Sequence, residues 1–141
     1  MAHFDNTKIS IITPTFNRAN LLLRLWESIK IQKFSNFEWI IFDDGSTDDT
    51  EIEIKKIKDN RIKYFNQPNK GVNAARLEAE KKIDIASKYV IYIDSDDAFY
   101  NDETILEMYN IIAKTDESIS LVIFSSVNGD SNELVSVLPE N

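Results

Sequence analysis

The chain has 141 residues with 43% hydrophobic and 28% charged side chains and only three glycines and three prolines, a composition that fits one globular domain and excludes collagen-like, linker-rich and disordered classes. It has no cysteine, and its single histidine is His3, so disulfide scaffolds, thiolate zinc sites, thiol nucleophiles and histidine triads drop out together. The net charge of -8 argues against a nucleic-acid polymer as partner, because that binding rests on basic side chains neutralising phosphates. The charge is polarised along the chain: Met1 to Ile93 carries 13 acids and 15 bases, whereas Asp94 to Asn141 carries 11 acids and one base, Lys114.

In chain order, Met1 to Thr7 reads as a frayed leader, residues 1–7. The start MAHFDNTK lacks the apolar stretch of a signal peptide, and no apolar run approaches the roughly 20 residues of a membrane helix. Short β-branched and aromatic runs then alternate with segments of helical period. Strands are expected at Lys8 to Thr13, Phe37 to Phe42, Arg61 to Asn66, Lys88 to Ile93 and Ile119 to Phe124, most of them nearly continuous apolar runs, as in strands covered on both faces. Leu21, Leu22, Leu25, Trp26 and Ile29 form one helical stripe, and Ile105, Met108, Tyr109 and Ile112 another. Helices are expected at Asp48 to Lys58 and Val72 to Ala86 as well. The order β-α-β-α-β-α-β-α-β predicts one α/β domain over residues 8–141, an open, mostly parallel sheet with helices on both faces. Glu133 to Leu138, after the turn at Asn128-Gly129-Asp130, offers a short antiparallel edge strand.

Open α/β sheets bind ligands beyond the carboxyl ends of their strands. Three junctions there are unusual: Thr13-Pro14-Thr15-Phe16-Asn17-Arg18, Asp43-Asp44-Gly45-Ser46 and Asp94-Ser95-Asp96-Asp97. Five carboxylates at one sheet edge invite a divalent cation, since like charges at close range ionise only at a cost. Oxygen ligands without His or Cys suit Mg²⁺ or Mn²⁺, whose shells are completed by water and substrate phosphates. A bland reading stands beside this one: Asp43, Asp44 and Asp48 cap a turn and a helix start. A P-loop and a dinucleotide fingerprint are absent, and an EF-hand fails because Ala98 and Phe99 occupy the third ligand position and the turn glycine.

Taken together, ISIITPTFNR, WIIFDDGSTDDT, the Gly71-Val72-Asn73-Ala74-Ala75-Arg76 segment and YVIYIDSDDAFY resemble the donor-binding half of family-two glycosyltransferases of the GT-A fold, over about Lys8 to Tyr100. The resemblance implies a UDP-sugar donor, an inverting transfer to the hydroxyl of a carbohydrate or lipid-linked acceptor, and Mn²⁺ or Mg²⁺ as cofactor. It implies that Pro14, Thr15 and Phe16 meet the nucleotide with Asn17 beside them, that Asp44 accepts the uracil imide N–H, and that Asp43 supports its loop. Phe16 stands where tyrosine is commoner, so an aromatic face is kept without the phenolic hydrogen bond.

Asp94, Ser95 and Asp96 correspond to the DxD motif, whose acids contact ribose and metal, with Asp96 the direct or water-bridged ligand, Asp94 beside it and Asp97 extending the cluster. Gly71, Asn73 and Arg76 match part of a longer family pattern in which Leu77 and Ala79 replace Asn and Gly; Arg76 is expected to brace the acidic loops or approach the donor, or to be a solvent-exposed helix arginine. The family's general base belongs to a second half for which no context is found, and Asp116, Glu117, Asp130, Glu133 and Glu140 are not assigned that role. The acceptor half is read as absent, the apolar surface so exposed would favour self-association, and members of the family act in the bacterial cytoplasm at the membrane face. Two alternatives are a donor-binding module without turnover and a receiver-like phospho-acceptor domain with Asp94 as acceptor and Lys114 as its lysine.

Overall fold

The computed structural model describes residues 6–115. Eight elements alternate: β1 (Lys8–Thr15), α1 (Ala19–Lys30), β2 (Phe37–Asp43), α2 (Thr50–Lys56), β3 (Ile62–Asn66), α3 (Val72–Glu80), β4 (Ser87–Tyr92) and α4 (Thr104–Ala113). The four strands are parallel in the order β3-β2-β1-β4. This is the expected α/β sheet, and its order reverses once, after β1 runs outward to β3 and the chain returns to the far side of β1. The crevice between the carboxyl ends of β1 and β4 is therefore the topological switch point, where such sheets bind ligands.

Side-chain alternation along β1 and β2 divides the interior into two cores. Ile9, Ile11, Trp39 and Ile41 face α1, α2 and α4, meeting Leu22, Leu25, Trp26, Ile29, Ile54 and Ile105. Trp26 and Trp39 stack with ring centroids 5.6 Å apart, and the Trp39 indole donates to the Thr13 hydroxyl over 2.9 Å. On the other face Ile12, Ile40 and Phe42 meet Ala75 and Ala79, two small residues one turn apart on α3. The side of the sheet each helix takes follows from right-handed crossovers: the connections β1 to β2 and β2 to β3 run in one direction and put α1 and α2 on one face, while the connection β3 to β4 runs back and puts α3 on the other.

Several boundaries differ from the sequence reading. β1 extends to Thr15, so Pro14 and Thr15 belong to the strand; β4 runs Ser87–Tyr92, one residue earlier than expected, β3 starts at Ile62, and α2 is shortened to Thr50–Lys56. The largest correction is α3, which stops at Glu80 where helical period suggested Ala86. Asp84 ends the run: its carboxylate accepts the Ala86 amide and the Lys8 ammonium, while its own amide donates to Glu38. Ile85, which prolonged the apolar period, is fully exposed. Coverage on both faces holds for β1 and β2, whereas β4 alternates half-buried and exposed positions. The strands expected at Ile119 to Phe124 and Glu133 to Leu138 lie outside the described residues, as do residues 1–5 of the leader expected at residues 1–7; Thr7 is buried, and its carbonyl accepts the Asn36 side-chain amide.

At the amino end of the sheet Glu38 is 1% exposed. Its carboxylate accepts the Ser10 hydroxyl, the Lys63 ammonium and the Asp84 amide, which supplies the partners a buried charge requires.

Candidate functional site

The β1–α1 turn begins the site. Pro14 is buried, Thr15 is buried with its hydroxyl oxygen unpartnered, and Phe16 is 43% exposed at the sheet edge. Asn17 takes φ 51°, a left-handed conformation that asparagine tolerates better than most residues. Its side-chain oxygen accepts the Thr47 and Asp48 amides, and its own amide donates to the Ser46 hydroxyl. Asn17 thereby ties the turn after β1 to the turn after β2, a use of its amide that the sequence reading assigned to nucleotide contact. Asp48 is likewise engaged locally, accepting the Thr50 amide and hydroxyl and the Ala19 amide.

The acidic pair after β2 is divided in role. Asp43 accepts the Ser46 amide and the Tyr64 hydroxyl, a turn brace whose charge, together with burial, pushes the Tyr64 phenol well above its ordinary value. Asp44 is 4% exposed. Its Oδ1 accepts the Gln67 side-chain amide at 2.7 Å and the Lys70 backbone amide at 2.8 Å, and its Oδ2 accepts the Gly71 amide at 2.7 Å. Burial pushes this carboxyl up, but the hydrogen bonds from Gln67, Lys70 and Gly71 outweigh it and hold the group below the ordinary aspartate range. A carboxylate offers about four lone-pair sites, so Asp44 keeps one on Oδ2. Gly45 completes the junction at φ +87°, with a hypothetical Cβ only 2.8 Å from the Asn69 backbone nitrogen; no larger residue fits this turn without moving the β3–α3 loop.

Across the crevice, Asp94, Asp96 and Asp97 bring one carboxylate oxygen each within 4.8 Å of one another. The strand has already ended at Tyr92, and a turn at Ser95 and Asp96, not strand alternation, gathers them. Ser95, the middle residue of the DxD match and a candidate nucleotide-binding residue by the resemblance, is 2% exposed. Of the five acids expected to converge, only these three form the cluster; Asp43 and Asp44 serve their own loops. Burial raises the Asp97 carboxyl above its ordinary value, and the charges of Asp96 and Asp94 raise it further, against a lowering by Arg24.

Three arginines surround the cluster. Arg76 Nη2 meets Asp94 Oδ1 at 2.6 Å and Arg18 Nη1 meets Asp96 Oδ2 at 2.9 Å. Arg24 donates to the Asp96 carbonyl. Helix α1 and the turn after it hold the rest of this segment: Ser28 accepts the Phe99 amide, while Gln32, 6% exposed and just past the end of α1, donates to the Asn101 carbonyl and accepts the Ile105 amide. Arg24, Ser28, Gln32 and Gln67 were not singled out by the sequence, where each is one polar residue among many; the spacing of four residues from Arg24 to Ser28 on α1, continued to Gln32 just past its end, is the only signal they leave. Gly71 and Asn73 are exposed at the start of α3. An open cavity of about 580 Å³ at the β3 edge, lined by Phe42, Tyr64, Phe65, Gln67, Lys70 and Lys82 among others, contains none of the clustered aspartates.

Three convergent carboxylates with no nitrogen or sulfur donor form a hard, anionic donor set that fits Mg²⁺ or Mn²⁺. The carboxyl ends of the strands thus present an exposed aromatic at Phe16, a buried acceptor with one free lone pair at Asp44, and a cluster of three carboxylates bordered by guanidiniums.

Comparison with known proteins bears on the family and the fold. The model of the family described as Glycosyl transferase family 2 matches residues 10–139. An uncharacterized glycosyltransferase of Rickettsia conorii is 44% identical over 105 residues, covering 74% of this chain and 17% of that protein. The GalNAc(5)-diNAcBac-PP-undecaprenol beta-1,3-glucosyltransferase of Campylobacter jejuni is 40% identical over 95 residues, 64% of this chain and 30% of that protein. The crystal structure of S. aureus TarS 1-349 in complex with UDP-GlcNAc superposes with a TM-score of 0.69 at 31% identity, covering 77% of this chain and 32% of that one. The chain therefore spans less than a third of the length of each of these three proteins.

Proposed function

Because the chain belongs to glycosyl transferase family 2, we propose that it is the donor-binding part of a glycosyltransferase that takes a UDP-sugar and delivers the sugar, with inversion, to the hydroxyl of a carbohydrate or lipid-linked acceptor. The observation that carries this reading is the pairing, across one switch-point crevice, of the Phe16 and Asp44 side with the Asp94, Asp96 and Asp97 side. The likeness to TarS, a structure that holds UDP-GlcNAc, supports the nucleotide. The C. jejuni relative, whose name specifies an undecaprenol-linked substrate, supports the acceptor class. Its proposed place of action is the cytoplasmic face of a membrane; among the described residues no helix is long and apolar enough to cross one.

Each role follows from local chemistry. The exposed Phe16 ring offers a flat apolar face on which a base stacks. Asp44, ionised and acceptor-only, has one lone pair left for an imide N–H; uracil and thymine carry that proton on N3, and cytosine does not. Asp43 and Asn17 hold the two turns that present these groups. Asp94 faces the ribose, Asp96 and Asp97 with Asp94 would hold the cation, and Arg76 braces Asp94. When bound, Mn²⁺ or Mg²⁺ supplies Lewis-acid stabilisation of the departing diphosphate. The base that deprotonates the acceptor is assigned to no described residue.

The test is a thermal-shift panel of UDP, CDP, GDP and ADP in Mn²⁺. The reading expects a dose-dependent rise in melting temperature with UDP, through binding to the native state alone, and a much smaller rise with CDP. Equal shifts for UDP and CDP would remove the imide argument.

A further inference from the structure

Arg18 entered the sequence reading only as a residue of the β1–α1 turn, yet the fold brings its guanidinium 2.9 Å from Asp96, the carboxylate assigned above to the cation. The local charges balance. Asp94 is paired with Arg76 at 2.6 Å, Asp96 with Arg18, and Arg24 donates to the Asp96 carbonyl next to Asp97, so three aspartates stand among three arginines and a strongly acidic chain has a neutral set of side chains at this one place. A divalent cation arriving alone must compete with a guanidinium for Asp96 and leaves two uncompensated positive charges. A cation arriving with a nucleoside diphosphate does not, because the diphosphate restores the balance.

Arg18 is also built to let go. Its side chain is 46% exposed and that of Asp96 52%, so the pair is of the solvent-screened kind that contributes little to stability. Arg18 stands at the N-cap position of α1 with no side-chain bond anchoring it to the helix, on the turn that carries Phe16. Arg24 differs, since it bonds the Asp96 carbonyl, which a cation on the carboxylate leaves untouched. The planar guanidinium fork suits phosphate oxygens as well as it suits a carboxylate.

We propose that Arg18 is a displaceable counter-ion: it holds Asp96 until a divalent cation binds together with a nucleoside diphosphate, then transfers its guanidinium to the diphosphate, so that cation and nucleotide bind as a coupled pair. This rests on the donor-site reading above. By linkage, the factor by which Mn²⁺ strengthens UDP binding equals the factor by which UDP strengthens Mn²⁺ binding, and Arg18 is one source of that factor.

The experiment is calorimetric titration of the full chain with Mn²⁺ alone, with UDP in chelator and with UDP in saturating Mn²⁺, for the wild type, Arg18→Ala and Arg18→Lys, with melting curves for each. Arg18→Ala is expected to bind Mn²⁺ alone about two- to fivefold more tightly, the competition of an exposed ion pair being removed. It should bind UDP in Mn²⁺ about tenfold more weakly, a charge-assisted contact being lost, and Arg18→Lys should lie between. Unchanged affinities in a folded Arg18→Ala would overturn the inference and leave the donor site standing. Weaker binding of Mn²⁺ alone would overturn it too, by making Arg18 a support of the acidic loop. A wild type that binds no UDP even in Mn²⁺ would overturn the donor-site reading and this inference with it. Should Arg18→Ala melt early, Arg18→Lys and Arg18→Gln carry the same comparison.

Discussion

Asp44 accepts the Gly71 amide over 2.7 Å, so the carboxylate that follows β2 fixes the backbone from which α3 starts. Replacing Asp44 with Asn puts an amide donor among the three donors of Gln67, Lys70 and Gly71. One of them must go unpaired in a buried place, which costs about 1–3 kcal/mol. Asp44→Asn is expected to lower the urea midpoint accordingly and to weaken UDP even in chelator. An unchanged midpoint would mean that the loop does not depend on this charge.

Asp96→Asn is expected to act differently, because Asp96 is half exposed and belongs to a cluster of like charges. It should weaken UDP in Mn²⁺ on the order of tenfold or more while changing UDP binding in chelator little. The melting temperature should change little, since the Arg18–Asp96 pair that is broken is solvent-exposed and of the kind that contributes little to stability. Mn²⁺-dependent UDP affinity equal to that of the wild type would take Asp96 out of the cation site.

Glu38 sets a pH dependence away from the site. Burial pushes its carboxyl up, but the Lys63 ammonium, the Ser10 hydroxyl and the Asp84 amide outweigh burial and hold it below the ordinary glutamate value of 4.5. A lowered carboxylate pKa stabilises the fold above the unfolded-state value, and that contribution is lost as pH falls through the folded-state value. The stability difference between wild type and Glu38→Gln should be about 1–3 kcal/mol at neutral pH and shrink as pH falls below 4.5. Chemical denaturation at several pH values measures it, and a difference independent of pH would contradict the assignment.

Trp39→Phe keeps an aromatic in the core but removes the indole donor to Thr13 and part of the stack on Trp26. A buried hydroxyl loses its partner and a small void opens, together about 1–3 kcal/mol. Urea unfolding of the variant checks this, and a midpoint equal to the wild type would mean that the core relaxes to fill the space.

Much of this was legible in the chain because period and turn chemistry are local. The apolar runs ISII and FEWIIF became the two central strands, and of the stripe Leu21, Leu22, Leu25, Trp26 and Ile29 all but Leu21, which is half-buried, became the buried side of α1. What period could not show was where α3 ends, since Ile83 and Ile85 continue an apolar rhythm that Asp84 interrupts through partners on β1 and β2. The acidic loops were visible as clusters, and the family resemblance gave Asp43 to its loop and Asp44 to the nucleotide, but the partners of the two acids were not visible. Nothing in Asp43-Asp44 tells which acid will meet Tyr64 and which will meet Gln67, because both partners come from β3 or the loop after it. The same holds for Arg18 and Asp96, separated by most of the described chain and joined only by the order of the strands. The receiver-like alternative is overturned by the family match, which covers residues 10–139.

The central claim is that the switch-point crevice binds a uridine nucleotide through a divalent cation. Calorimetric titration of the chain with UDP, in Mn²⁺ and again in EDTA, tests it most directly. Saturable binding in Mn²⁺ that falls sharply in EDTA is the predicted result; a folded chain that binds no UDP in either condition would contradict it.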